Sequence, residues 1–558
     1  MSTEESFDFV IVGAGAAGCV LANRLSADGQ YRVLILEAGG SDAHPWIKIP
    51  AGFTRTIFSS SLGWGYTNAP APATANRPIP CPRGRVLGGS SSINGHLYVR
   101  GQAQDYADWV NAGATGWGWQ EVLPYFMRAE TRVGGGETRG ENGPLQVTDP
   151  SMKHPLCDAF IDAAVQCGMP RNTDYNDGAQ AGAGYYQYLI RAGRRWSAAD
   201  AYLRPALRRG NLVLRQRALA SRILFQGRRA VGIEYLSRGV RQRVHARHEV
   251  LLAGGSINSP QLLQLSGIGD PAWLAKQGIE VLDSSPQVGQ GLTDHYAVRL
   301  SARARHCQTL NERARMPALA AEIYRYLVHR DGLLATAVAQ AFGFVASQPG
   351  LRPDLQLLFT PASYPAWRVG QSSLEAAPGI TCGVCQLRPN SRGHVRIVSG
   401  DPTVAPEIQP NYLADEQDLR VLIDGIRIVR RLFATEPLAK YVAQETWPGL
   451  SEAAEEVGLE RFVRETGSTV YHPVGSCAMG ELTDAPLDPR LRVKRLDGLR
   501  VIDASAMPSM VSGNTYAATI MIAEKGADMV LDDVARAASL SIHSKASDAS
   551  EASATVRA

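Results

Sequence analysis

Long hydrophobic runs are missing from this 558-residue chain. No apolar stretch approaches the roughly 20 residues that cross a bilayer, so a membrane-spanning helix is not expected. The first strand begins within seven residues of the start, which leaves no room for a secretory leader and points to the cytoplasm. Peripheral contact with a membrane stays open. Charge of one sign is also scarce. Fifty-seven Lys and Arg against 53 Asp and Glu leave a formal charge of +4, and no basic run concentrates it. A nucleic-acid footprint is therefore excluded as an expectation. The eight cysteines are scattered without the density of a disulfide scaffold. Cys382-x-x-Cys385 is the one close pair, and no second Cys or His pair completes it. Two buried thiols are expected there, and no metal site. No internal repeat is visible.

What is present is ordinary globular composition, 45% hydrophobic and 20% charged, on a chain too long for one compact core. Two domains are the expectation. The organising stretch is Phe7 to Glu37. Phe7–Val12 reads as a buried strand, Gly13-Ala14-Gly15-Ala16-Ala17-Gly18 opens a helix reaching about Leu25, and a second strand over Arg32–Leu36 ends in Glu37. This is a dinucleotide-binding βαβ unit. Gly13 permits the tight turn, Gly15 admits a pyrophosphate against the backbone, and Gly18 lets helix and strand pack closely. The anion would sit on the helix N-terminus, and Glu37 would accept from the ribose hydroxyls. At this stage NAD and FAD are both open.

Ala38-Gly39-Gly40 follows, then an aperiodic excursion through Trp46, Trp64 and Tyr66. Pro82 to His96 carries adjacent glycines and three serines, among them Arg85, Leu87, Gly88, Ser91, Asn94 and Gly95. That composition suits a backbone passing close to a planar ligand while offering donors. A helical pattern spans Tyr106–Glu130, residues 133–143 read as a surface loop, and further helices cover His154–Cys167 and Ser197–Leu207. A β-rich section runs from Asn211 to Ala253 and ends in Gly254-Gly255, a second strand-glycine-helix junction. Residues 310–460 mix helices with strands at Asp354–Phe359, Gly379–Leu387 and His394–Val398. From about Arg536 the chain is Ser/Ala-rich without apolar period, so residues 536–558 are expected to be a disordered tail.

Two late patches stand out. In Ser468–Cys477, His472 precedes Pro473 in an apolar, glycine-flanked segment, and the proline restricts the backbone before it. Leu499–Ile502 reads as a strand running into Asp503 and Ala504, and Ser512-Gly513-Asn514-Thr515 precedes a helix with small residues on its early turns. Each of these residues alone would pass as core or as a helix cap. Their repetition at Gly- or Ser-flanked strand ends points to a cofactor.

On these motifs the chain resembles the glucose-methanol-choline (GMC) family of FAD-dependent oxidoreductases from about Phe7 to Leu531. Gly84–Asn94 resembles the family's first signature, and Gly255–Gly269 its second. The resemblance implies an α/β fold: a Rossmann-like FAD-binding domain with an interleaved substrate-binding domain built on an antiparallel sheet flanked by helices. The division it suggests is 1–155, 208–309 and 464–535 for FAD, and 156–207 with 310–463 for substrate. Gly13, Gly15, Ala16, Ala17, Gly18, Glu37 and Ala38 would hold the ADP half, with Ala220 against adenine. Arg85, Leu87, Gly88, Ser91, Asn94, Gly95, Ala253 and Gly254 would follow the pyrophosphate and isoalloxazine. Asp503 and Ala504 would meet ribitol and pyrophosphate, and Thr515 the pyrimidine edge. His472 matches the catalytic histidine and Asn514 its partner. Ile93 stands where some members attach FAD through histidine, so non-covalent FAD is expected.

The implied reaction takes a hydride from an alcohol carbon to flavin N5 and the hydroxyl proton to neutral His472, giving an aldehyde. Electrons would pass to a quinone-type or other acceptor. Choline-type relatives carry an acid in the stretch matching Leu334–Val345, where this chain has Gln340 among Val338, Phe342 and Phe344. A neutral primary alcohol, aliphatic or aromatic, is therefore expected, with Gln340, Phe342 and Tyr471 lining its pocket. The alternatives on this scaffold are an oxygen-using oxidase that forms hydrogen peroxide, a hydroxynitrile lyase-type activity and a choline dehydrogenase. A flavin-binding protein without catalysis has no use for the His472–Asn514 pair. Oligomeric state is left open.

Overall fold

The computed structural model describes residues 5–365, 374–451, 453 and 455–555. Two sheets organise it. In chain order the strands that matter are β1 (Glu5–Val12), β2 (Val33–Glu37), β3 (Gly182–Tyr185), β4 (Leu212–Gln216), β5 (Ala218–Gln226), β6 (Arg229–Ser237) and β7 (Val240–Leu252). They continue with β8 (Tyr296–Ala304), β9 (Ala341–Val345), β10 (Leu355–Thr360), β11 (Gly379–Gln386), β12 (Val442–Trp447), β13 (Ser468–Thr469) and β14 (Leu499–Val501). The helices used below are α1 (Ala16–Leu25), α2 (Ala103–Asn111), α3 (Trp119–Ala129), α4 (Pro155–Gln166), α5 (Gly255–Leu265), α6 (Glu416–Ala434) and α7 (Tyr516–Thr555).

The first sheet has the order β4-β2-β1-β7-β6-β5, with β14 beside the end of β7. The pairs β4–β2, β2–β1, β1–β7 and β7–β14 are parallel, whereas β5–β6–β7 is an antiparallel meander. Parallel strands covered on both faces need near-continuous apolar sequence. All five residues of β2, and Phe9 to Val12 at the end of β1, are buried. Helices α1 and α7 cover this sheet and share its core with Trp109, Trp117 and Phe126.

The second sheet has the order β12-β8-β11-β10-β9-β3 and is antiparallel throughout, with β13 pairing against β8. Helices α4 and α6 pack on one face, burying Phe160, Leu422, Ile426 and Val429 against Val298, Leu300, Leu357 and Val384. The other face is left to line a cavity. Strand β8, which the sequence division places with the first domain, is the second strand of this sheet.

Two local expectations are corrected. The helical pattern over Tyr106–Glu130 is two helices, α2 and α3, because Gly113 and Gly116 turn the chain at φ of 90° and 81° between them. Helix α7 continues to Thr555, so the segment expected to be disordered from Arg536 is helical as far as it is described. Its alanines cost a helix almost nothing, and extending an already buried helix adds one hydrogen bond per residue without a new nucleus. The last three residues of that predicted tail, 556–558, lie outside the described residues. Among the described residues no helix is long and apolar enough to cross a membrane. All eight cysteines are free, and Cys382 and Cys385 are buried on β11.

Candidate active site

One cavity of about 450 Å³ runs from Glu37 at the end of β2 to His472 beneath the second sheet. At its first end the β1–α1 turn is built as the sequence indicates. Gly13 has φ of 100°, and a Cβ there would lie 2.6 Å from the Ala253 carbonyl oxygen. A Cβ on Gly18 would stand 1.8 Å from the Gly13 carbonyl oxygen, so only glycine lets α1 seat on β1. Gly15 and Gly89 face each other, and a Cβ on Gly89 would come within 2.8 Å of Gly15 Cα. The N-terminus of α1 has no side-chain cap, and Gly15, Ala16 and Ala17 line the cavity. Uncapped N–H groups of this kind are an anion site.

Glu37 accepts from Ala14 N at 2.9 Å and Gly39 N at 2.7 Å, and lines the cavity. Burial pushes its pKa up to about 7 despite those two donors. Vicinal hydroxyls donating to this carboxylate would favour its ionised form. A dinucleotide should therefore bind more tightly as pH rises through about 7, releasing a proton, because below that pH the bound state must expel one. Titrating apoprotein with FAD at about pH 6 and about pH 8 checks this. Glu37→Gln should weaken binding and flatten the pH dependence.

Along the cavity the structure brings together Ala38, Ser91, Asn94, Gly95, Ala220, Ala253 and Gly254 with Asp503, Ala504 and Thr515. Asp503 is already saturated by protein donors. It accepts from Gly255 N at 2.8 Å and Ser259 Oγ at 2.6 Å on one oxygen, and from Ser505 N at 2.8 Å and Oγ at 2.6 Å on the other. It thereby ties the end of β14 to the start of α5. Asn94 is oriented by Arg195, whose Nη1 donates to its Oδ1 at 2.8 Å, so its amide nitrogen is the group left to donate.

Six predicted site residues lie outside the cavity lining. Gly18 acts through packing, as above. Gly88 and Leu87 support the turn by backbone bonds to Ala14 and Gly40. Arg85 stacks over Trp64, 4.8 Å from its ring centroid. Gln340 and Phe342, offered as pocket residues, are 1% and 0% exposed inside the second domain. Gln340 Oε1 meets Cys157 Sγ, and Phe342 packs edge-on against Tyr175. Strand β9 is covered on both faces, so its alternate residues have no cavity to face. Tyr471 does line the cavity.

At the far end stands His472, 9% exposed. Its backbone is clamped. Tyr471, just before it, holds φ of 72°, unusual for a residue with a side chain. Thr469 Oγ1 accepts from Tyr471 N at 2.7 Å, Arg83 donates to the Tyr471 carbonyl, and buried Asp294 accepts from His472 N at 2.7 Å.

The ring is held from both sides. His472 Nδ1 lies 3.0 Å from His295 Nδ1, and His295 Nε2 lies 2.9 Å from the Leu387 carbonyl oxygen. A carbonyl only accepts, so His295 carries its proton on Nε2 and offers a lone pair at Nδ1. His472 must then be protonated on Nδ1, which leaves the lone pair on Nε2. There Asn514 Nδ2 approaches to 3.0 Å, its own Oδ1 held by Gln356 Nε2 at 3.3 Å. Burial, with His295 and Arg83 nearby, holds the His472 pKa well below the usual imidazole range, and burial takes His295 to about 4. Both rings are neutral at pH 7. His295, Gln356 and Asp294 carry no motif and escape sequence reasoning; only their adjacency to His472 and Asn514 in space marks them.

A glycine-cradled dinucleotide channel ending at a neutral imidazole with a lone pair facing the cavity defines an oxidoreductase-type site. Family models described as GMC oxidoreductase match residues 7–297 and 389–523. The chain is 41% identical over 532 residues to an oxygen-dependent choline dehydrogenase of Photobacterium profundum, covering 94% of this chain and 93% of that one. It is 38% identical to an alcohol dehydrogenase [acceptor] of Pseudomonas putida, covering 95% and 96%. Among solved structures, pyridoxine 4-oxidase from Mesorbium loti superposes with a TM-score of 0.84 at 31% identity, over 93% of this chain and 98% of that one. The chain belongs to the GMC oxidoreductase family, whose members bind FAD and act on alcohol-type donors. The channel fits that cofactor. Glu37 suits a ribose, the α1 N-terminus a pyrophosphate, and the bare face of Gly15 and Gly89 leaves space that a side chain would fill.

Proposed function

We propose that the chain oxidises a primary alcohol to an aldehyde, with His472 Nε2 as the base that takes the hydroxyl proton and Asn514 as the donor that holds the substrate oxygen. The observation that carries this reading is the histidine relay, in which Leu387 and His295 force the His472 lone pair to the cavity side. FAD, bound non-covalently past Ile93, supplies the hydride acceptor. Asn514 Nδ2 sits 3.0 Å from Nε2, so a substrate oxygen set beside both, in place of the bond they make to each other, meets donor and base together. The clamp on Tyr471 and His472 keeps that geometry without motion of the loop.

The substrate carries no cationic group. Glu37 and Asp503 are the only carboxylates among the described residues lining the cavity, and both lie at the cofactor end. Electrons leave to a quinone-type or other acceptor, in keeping with the alcohol dehydrogenase [acceptor] relative. We place the enzyme in the cytoplasm, where eight unpaired thiols persist. Aldehyde formation with an artificial quinone and no peroxide in air is the expected result. Stoichiometric peroxide would replace the dehydrogenase reading with an oxidase.

His295 is a positioning residue in this account. His295→Phe removes the acceptor for His472 Nδ1–H and frees the wrong tautomer to form. The rate constant for flavin reduction should fall about 10–100-fold with substrate affinity little changed, as for other groups that orient a reacting ligand. The acid limb of its pH profile should also move up, since one of the groups that depress the His472 pKa is gone. Rapid-mixing kinetics across pH separates this from a loss of fold.

A further inference from the structure

The wall of the cavity beyond His472 is the open face of the second sheet. Strand β8 alternates strictly: Tyr296, Val298, Leu300 and Ala302 enter the apolar core, while Ala297, Arg299 and Ser301 face the cavity. Arg299 pairs across β11 with Gly383, which has no side chain to cover it. Tyr364, Tyr471 and Trp447 line the same region. The positive charge of Arg299 is close enough to pull the hydroxyl pKa of both tyrosines downward against their burial.

Arg299 is half-buried, and among the described residues its guanidinium donates to no acceptor and forms no ion pair. The other guanidinium on this wall, Arg83, is occupied by the carbonyls of Pro82 and Tyr471. Residues 366–373, outside the described set, contain no Asp or Glu in their sequence. A partly desolvated guanidinium without a counter-charge is costly, and a carboxylate meets it with two parallel charge-assisted bonds. A doubly charged phosphate would call for more than one free cation, and among the described residues this wall offers one.

His295, directly behind His472 and one residue before β8, and Arg299 are four residues apart, roughly 13 Å along an extended chain at a rise of about 3.3 Å. Ala297 between them is small and leaves that length open. We propose that Arg299 is a specificity-determining residue that binds a carboxylate at the far end of the alcohol substrate, whose hydroxyl faces His472. This rests on the alcohol-oxidising reading above and narrows its substrate class to hydroxy acids with an intervening aromatic or aliphatic spacer. The sequence expectation of a neutral pocket rests on Gln340 in place of an acid among Val338, Phe342 and Phe344, and of these four only Val338 lines the cavity.

The test uses the FAD-loaded enzyme with 4-(hydroxymethyl)benzoate and its uncharged methyl ester. In the wild type kcat/KM should favour the acid by about tenfold or more, the range of a hydrogen bond to a charged group. In Arg299→Gln that ratio should fall to about one or below, and Arg299→Lys should retain part of it. Benzoate should raise the melting temperature of the wild type and not of Arg299→Gln, a readout independent of turnover and of whether the variant is active. An ester-to-acid preference in the wild type, or a ratio unchanged by Arg299→Gln, overturns the carboxylate site while leaving alcohol oxidation standing. Benzoate stabilisation that depends on Arg299, with no alcohol reducing the flavin, upholds the anion site and removes the alcohol reading instead.

Discussion

Replacing His472 by alanine is expected to slow flavin reduction by an alcohol about 10²–10⁴-fold, the usual contribution of a positioned base, while FAD stays bound. The magnitude follows from how completely the fold commits this ring to one task. Burial keeps it neutral, so at pH 7 nearly every molecule carries the base in its active form. His295 fixes the proton on Nδ1, and Asp294 with Thr469 fixes the backbone. The cofactor contacts at Glu37, the α1 N-terminus and Gly89 lie elsewhere in the cavity, so the variant should retain its yellow colour. Anaerobic rapid mixing measures the rate. Reduction at close to the wild-type speed would mean that the proton leaves by another route.

Gly18→Ala should act at the opposite end and do the opposite: little cofactor bound, with the base intact. The added Cβ would lie 1.8 Å from the Gly13 carbonyl oxygen and 3.4 Å from Ala253 Cβ, both fixed parts of the β1–α1 turn. Helix α1 must lift off β1, and its N-terminal N–H groups no longer point at the pyrophosphate position. A cost of about 3 kcal/mol, the upper end of ordinary overpacking, is expected. Bound flavin per chain and the melting temperature report it. Gly136→Ala is the control, since its Cβ would meet nothing within 4 Å. Equal flavin content in the two variants would contradict the role given to Gly18.

The contrast between these two sites shows what a sequence makes legible. The β1–α1–β2 unit could be read directly because its requirements fall within one six-residue run, Gly13 to Gly18, in which positions 13 and 18 have no room for a Cβ. His472 and Asn514 could be matched through motif resemblance, since each sits in a segment of distinctive small residues. His295, Gln356 and Arg299 could not, because each lies on or next to a strand whose sequence is ordinary and whose neighbours are set by pairing between distant segments. The one-in-two alternation of β8 gives Arg299 its meaning only once β11 and β13 are in place beside it. Gln340 and Phe342 failed as pocket residues for the converse reason. An apolar strand preceded by one polar residue resembles a pocket wall, but β9 pairs with β3 and β10 on its two edges and is covered on both faces. The helix beyond Arg536 was missed because low apolar content marks absence of a core, and a helix anchored elsewhere needs none.

The most direct test of the central claim is a single anaerobic turnover. The FAD-loaded enzyme is mixed with excess 4-(hydroxymethyl)benzoate or benzyl alcohol, and the visible flavin band and the aldehyde are followed together. The band should bleach with one aldehyde formed per flavin, and the bleaching rate should be flat from about pH 8 down through about pH 6.5, because His472 stays neutral across that range. A band that persists with every alcohol, or a rate that halves near about pH 6.5 as an unperturbed imidazole would require, contradicts it.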